Sequence, residues 1–156
     1  MPVGRAKPAF RFPKRAFALD STRVDLRLLY ARSAAQDKDP ARAAELYASV
    51  PDTTLLEAVD HVRLGGMDFE AKRFDEAREH LHAAVMKDSS SVEAFFVLGL
   101  VEMRRNDAEA AVAALQKATE LAPTFSPAPL NLGIALLQAK RPAEGIAALR
   151  QAQTLA

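Results

Sequence analysis

Three histidines and one pair of glutamates are the side chains here that could do acid–base or metal chemistry near neutral pH: His61, His80, His82, Glu76 and Glu79. A neutral imidazole can ligate a metal or take a proton. His80 and His82 lie two residues apart, so on a helix their side chains diverge and cannot share a metal. His61 falls on another helix with no second histidine at ligand spacing. All three are therefore expected to be surface or packing residues. Glu76 and Glu79 have the spacing of two carboxylates on one helix face. Lys72 and Arg78 flank them, which makes the stretch a charged, solvated face. The 156 residues contain no cysteine, which excludes a disulfide framework, a thiolate zinc site and a cysteine nucleophile. No G-x-x-x-x-G-K-[ST], G-x-S-x-G or H-E-x-x-H occurs. The reading is a non-catalytic protein with no cofactor and no metal.

The elements that must carry any binding function are written as a repeat. Residues 92–125 read as two short helices. Phe95, Leu98, Leu100 and Val101 have helical spacing on the first, and Val112, Leu115, Ala118 and Leu121 on the second. Asn106-Asp107 lies between them, where a short polar side chain can accept free N–H groups of the second helix. Pro123 stops that helix, since it lacks an N–H and clashes with the preceding turn. The hairpin recurs every 34 residues. Gly99 has Ala31, Gly65 and Gly133 in its column, Leu115 has Tyr47, Leu81 and Leu149, and Ala111 has Ala43, Ala77 and Gly145. Four copies (24–57, 58–91, 92–125 and 126–156) thus align without an insertion. A fixed period of this length implies units that bury their faces against their neighbours. Gly99 and Ala111 are expected where the two helices cross, because larger side chains would push the axes beyond about 8–10 Å.

In these columns the sequence resembles the tetratricopeptide repeat (TPR) family, whose pattern runs bulky residue, Leu, Gly, Ala, apolar residue, Ala, Pro. Phe95, Leu98, Gly99, Ala111, Leu115, Ala118 and Pro123 supply it in the third copy. Copy one diverges, with Arg27 at the bulky position and Pro51 cutting its second helix short. The resemblance implies an all-α fold, a right-handed TPR-type solenoid of four helix-turn-helix repeats with the first divergent. Capping boxes are expected at Thr54/Glu57 and Ser90/Glu93. Asp39-Pro40 should open the second helix and Pro142 the last.

Outside the repeats, residues 1–19 carry Arg5, Lys7, Arg11, Lys14 and Arg15 and no acid, leaving the other 137 residues at −4. Pro2, Pro8 and Pro13 argue against regular structure there, so the stretch reads as a basic, solvated tail ahead of a 20–156 solenoid. Phe10, Phe12 and Phe17 alternate with its charges and could dock into an apolar groove in cis or in trans. Nucleic acid is disfavoured as a partner by the acidic body. No apolar run approaches the roughly 18 residues of a membrane span, and residues 1–19 lack the core of a signal peptide. A cytoplasmic location is expected, and the excess of arginine over lysine with abundant alanine points to a bacterial source.

The resemblance further implies that the first helix of each repeat lines a concave surface. Carried onto this chain, the family's inward positions place Val62, Phe69, Phe96, Leu100, Met103, Leu130, Ile134 and Leu137 in a peptide-binding groove. Glu70, Glu93, Arg104 and Gln138 fall at its rim. The carboxylate clamp of chaperone-binding members needs Lys and Asn at fixed first-helix positions, and only Asn131 is so placed. An apolar groove suits an amphipathic helix or an extended peptide with hydrophobic anchors. The expected role is a protein–protein interaction adaptor. The alternatives are a self-assembling scaffold that forms homo-oligomers through its last repeat, a chaperone resembling those of type III secretion translocators, and the TPR part of a larger enzyme.

Overall fold

A computed structural model describes residues 24–37 and 39–156, so the basic tail and its expected docking lie outside the described residues. Eight α-helices and no strand are present among them. They are α1 Val24–Gln36, α2 Pro40–Ala48, α3 Ala58–Glu70, α4 Phe74–Lys87, α5 Val92–Arg104, α6 Ala108–Leu121, α7 Pro127–Gln138 and α8 Pro142–Leu155. The chain divides into two compact units, the first ending at Leu55 and the second running Leu56–Ala156. The boundary falls just ahead of α3, the first helix of the second repeat.

The first unit shows why copy one departs from the pattern. Its second helix, α2, has 9 residues where the later copies have 14. Asp39 caps it by accepting from the Arg42 N–H at 3.1 Å, and Pro40 occupies the first turn, where a missing N–H costs nothing. Its C-terminus is closed by the guanidinium of Arg27, which donates to the Ser49 carbonyl. Arg27 at the bulky position therefore does work that packing does elsewhere. A 3-10 turn at Thr53–Leu55 follows. The capping box expected at Thr54/Glu57 forms one step later: Glu57 caps α3, and the Glu57 N–H donates to the Asp60 carboxylate at 3.1 Å. Thr54 instead donates to Asp52, as Ser90 does to Asp88. The cap of α5 is accordingly Ser91, accepting from the Ala94 N–H, rather than Ser90. Both Asp52 and Asp88 are held below the usual carboxylate range by those hydroxyl and N–H donors.

In the second unit three hairpins, α3–α4, α5–α6 and α7–α8, pack in succession, each second helix against the first helix of the next hairpin. The turn inside each hairpin is the same. After the first helix, the chain passes through a left-handed residue, Lys72 at φ 61, Asn106 at φ 60 and Lys140 at φ 60. The N–H of that residue and the next reach back to the helix carbonyls, as Lys140 does to Leu137 (3.1 Å) and Arg141 to Leu136 (2.8 Å). This is a Schellman ending, usually built on glycine because a Cβ costs energy at positive φ. Lys140→Gly should therefore raise stability by about 0.5–1 kcal/mol, and Asn106→Gly by less, since Asn tolerates this conformation. Thermal melts that fail to rise for Lys140→Gly would contradict the assignment.

Each hairpin closes on a glycine–leucine contact. A Cβ built on Gly65 would lie 2.6 Å from Leu81 Cγ, one on Gly99 2.4 Å from Leu115 Cγ, and one on Gly133 2.6 Å from Leu149 Cγ. The glycines are thus at the crossings, but what fills each is the leucine sixteen residues on, with the expected Ala column lying alongside. Ala111, Val112, Leu115, Leu132, Ala135, Leu136 and Ala148 form one buried cluster that spans the last two hairpins. Ala77, Leu81, Leu98, Val101 and Ala114 form a second between the two before.

Candidate functional site

First helices α3, α5 and α7 come together on one side of the second unit and enclose a pocket of about 510 Å³. Phe69 enters from the end of α3, Leu100, Met103 and Arg104 from α5, Asn106 from the turn beyond it, and Asn131 and Gln138 from α7. Phe69 is steadied by Phe74, ring centres 5.9 Å apart. Asn131 Nδ2 donates to the Pro127 carbonyl at 2.8 Å, which fixes the amide and leaves its oxygen as an acceptor. Arg104 is the one charged lining residue, exposed and with no ion-pair partner among the described residues. An apolar floor beside amide and guanidinium donors can hold an apolar side chain while bonding a peptide's oxygen atoms.

Five of the residues selected from the sequence meet in this pocket: Phe69, Leu100, Met103, Arg104 and Gln138. Leu130 and Leu137, each 46% exposed, and Ile134 lie on α7 outside it. Phe96 is half-buried, edge-on to Phe125 with ring centres 5.2 Å apart. Glu70 and Glu93 are exposed and do not line the pocket. Val62 is 6% exposed and packs with Ala84 and Ala94, so the groove role read for it has no free surface to act through. Position 5 of the repeat faces inward toward the next hairpin in this copy. Asn106 was not among the candidates, because its place in the pocket depends on the left-handed turn rather than on helical spacing.

A second group of polar side chains lies between α3 and α4, and sequence spacing gave no sign of it. His61 and His80, 19 residues apart, bring their Nδ1 atoms to 3.3 Å. His80 Nε2 is 3.7 Å from Asp68 Oδ2, and Arg73 Nε donates to Asp68 Oδ1 at 3.0 Å. Spacing along the helix places no second histidine near His61; the hairpin, not the helix period, pairs it with His80. Among the described residues no group of three or more His, Asp and Glu side chains could hold a metal. Glu76 and Glu79 are both exposed. No described helix is long and apolar enough to cross a membrane.

These features define a class, the helical-hairpin repeat proteins that present the first helix of each hairpin on one face. A family model for the tetratricopeptide repeat matches residues 68–124, and the chain has an all-α, TPR-type solenoid fold. A crystal structure of MamA superposes with a TM-score of 0.80 at 23% identity, over 91% of this chain and 83% of that one. YrrB, described as a TPR protein with an unusual peptide-binding site, gives 0.80 at 17% identity over 90% and 73%. The second TPR of Spaghetti (RPAP3), bound to an HSP90 peptide, gives 0.62 at 16% identity over 64% and 93%. Comparison with curated protein sequences finds no match.

Proposed function

We propose that this chain is a non-catalytic protein–protein interaction module that binds an apolar-anchored peptide or helix on the α3–α5–α7 face. The observation that carries this reading is the pocket itself, in which the half-buried Phe69, Leu100 and Met103 lie beside Arg104, a cation with no ion-pair partner among the described residues. An apolar anchor seated on the floor gains about 1.5–3 kcal/mol from burial. Arg104 and the amide of Gln138 then supply donors to the peptide's carbonyl or carboxylate oxygens. Two structures of the same fold, YrrB and the RPAP3 repeat, carry peptide-binding descriptions, which supports the class of partner.

Anisotropy measurements against a panel of labelled peptides with single Leu, Phe or Met anchors test this. Met103→Glu should weaken the best binder at least tenfold, because the anchor would meet a desolvated carboxylate. Arg104→Ala should weaken it several-fold, and Glu76→Ala, outside the pocket, should leave it unchanged. Binding that is indifferent to Met103→Glu would refute the site. A chain that binds no peptide and instead oligomerises with concentration by light scattering would favour the self-assembling scaffold.

A further inference from the structure

We propose that His61, His80 and Asp68 form a proton-operated latch, which holds the α3–α4 hairpin closed while the two imidazoles share at most one added proton and releases it when both are protonated. The ring centres are 5.6 Å apart and the Nδ1 atoms 3.3 Å, so the two nitrogens lie nearly on the line joining the rings. That is the arrangement of a shared proton rather than of two nitrogens converging on a third atom. In the neutral pair, His61 donates from Nδ1 to His80 Nδ1, and His80 turns its Nε2–H toward Asp68 Oδ2. One added proton still leaves a single N–H between the two Nδ1 atoms, so the contact survives. A second proton puts an N–H on each Nδ1 with no lone pair between them, and two positive charges across the hairpin.

The surroundings decide which residue yields. His61 is buried and cannot rotate into water without parting the helices, whereas His80 is only half-buried. Lys87 of α4 adds positive charge near His61, and Asp60 of α3 opposes it. On α3 Asp68 faces His80, but Arg73 already engages it. From α5, which packs against both helices, Glu102 is taken by Arg78 and Arg105, and Glu93 is exposed. Burial first, then His80 and Lys87, lower the His61 pKa from its ordinary value of 6.5. A lowered histidine stabilises the fold above its unfolded pKa, and that stability is lost as pH falls below 6.5 through the folded value. The end of α3 also carries Phe69, so opening the latch loosens a pocket wall.

Melting temperatures of the full chain between pH 8 and pH 5 test the latch. The wild type should lose about 4 °C more over that range than His61→Gln, while His82→Gln, exposed on α4, should track the wild type. Parallel curves for the wild type and His61→Gln overturn the proposal. If His61→Gln does not fold, imidazole NMR of the wild type decides it. His61 should protonate below the ordinary value, with faster amide exchange confined to α3 and α4. An ordinary titration with unchanged exchange overturns it.

Discussion

Gly99→Leu is expected to lower stability by about 2–3 kcal/mol, although leaving glycine gains nearly 1 kcal/mol of helix propensity. The Cβ alone would stand 2.4 Å from Leu115 Cγ and within 3.2 Å of both its methyl carbons. Leu115 cannot retreat, because it is fully buried among Val112, Leu132, Ala135 and Leu136, the contact between the last two hairpins. The axes of α5 and α6 must separate, and that displacement loses dispersion contacts along both helices. The neighbouring pair Gly65 and Gly66 provides an internal control. A Cβ on Gly65 meets Leu81 at 2.6 Å, whereas one on Gly66 meets nothing within 4 Å. Gly65→Ala should therefore destabilise, and Gly66→Ala should stabilise by about 0.5–1 kcal/mol. Chemical denaturation of the three variants reads the signs directly. A neutral Gly99→Leu, or two alanine variants of the same sign, would mean that the glycine column is not the contact closing the hairpins.

That column was legible because a 34-residue period repeats the same steric demand, so Gly65, Gly99 and Gly133 announce one contact three times over. Helix ends were legible where a proline left one choice, as at Asp39-Pro40 and Pro142. They slipped by a residue or more where adjacent side chains compete for one role. Ser90 and Ser91 could each cap α5, and Asp88 settles the matter by engaging Ser90. The left-handed turns carried no signal, since two of the three hold lysine rather than glycine. Five of the pocket's seven lining residues occupy repeat positions selected from the sequence, but exposure could not be read there. Val62 and Leu130 occupy the same position in different copies, and one is core while the other faces water. The His61–His80 and Arg78–Glu102 contacts join different helices over separations that helix periodicity does not address.

The joint at Glu102 sets up the second large effect. This α5 carboxylate is 2% exposed and accepts from Arg78 Nε of α4 at 2.9 Å and from Arg105 Nε at 3.2 Å. Arg105 also pairs with Asp75 at the start of α4, so the set ties the second hairpin to the third. The two guanidiniums are 47% and 28% exposed and can rehydrate if the glutamate is removed. The carboxylate cannot, because it has no path to water. Loss is therefore asymmetric. The Arg78→Met/Arg105→Met double variant strands a buried charge and should cost about 3–4 kcal/mol. Adding Glu102→Met should recover most of that, since an apolar side chain of similar size fills the slot and no group is left unpaired. Denaturation curves at pH 7 for the double and triple variants measure both the loss and its recovery. Should the triple variant be no more stable than the double, the cost would lie in lost arginine packing rather than in the buried charge, and the joint would be a hydrophobic contact along the arginine stems.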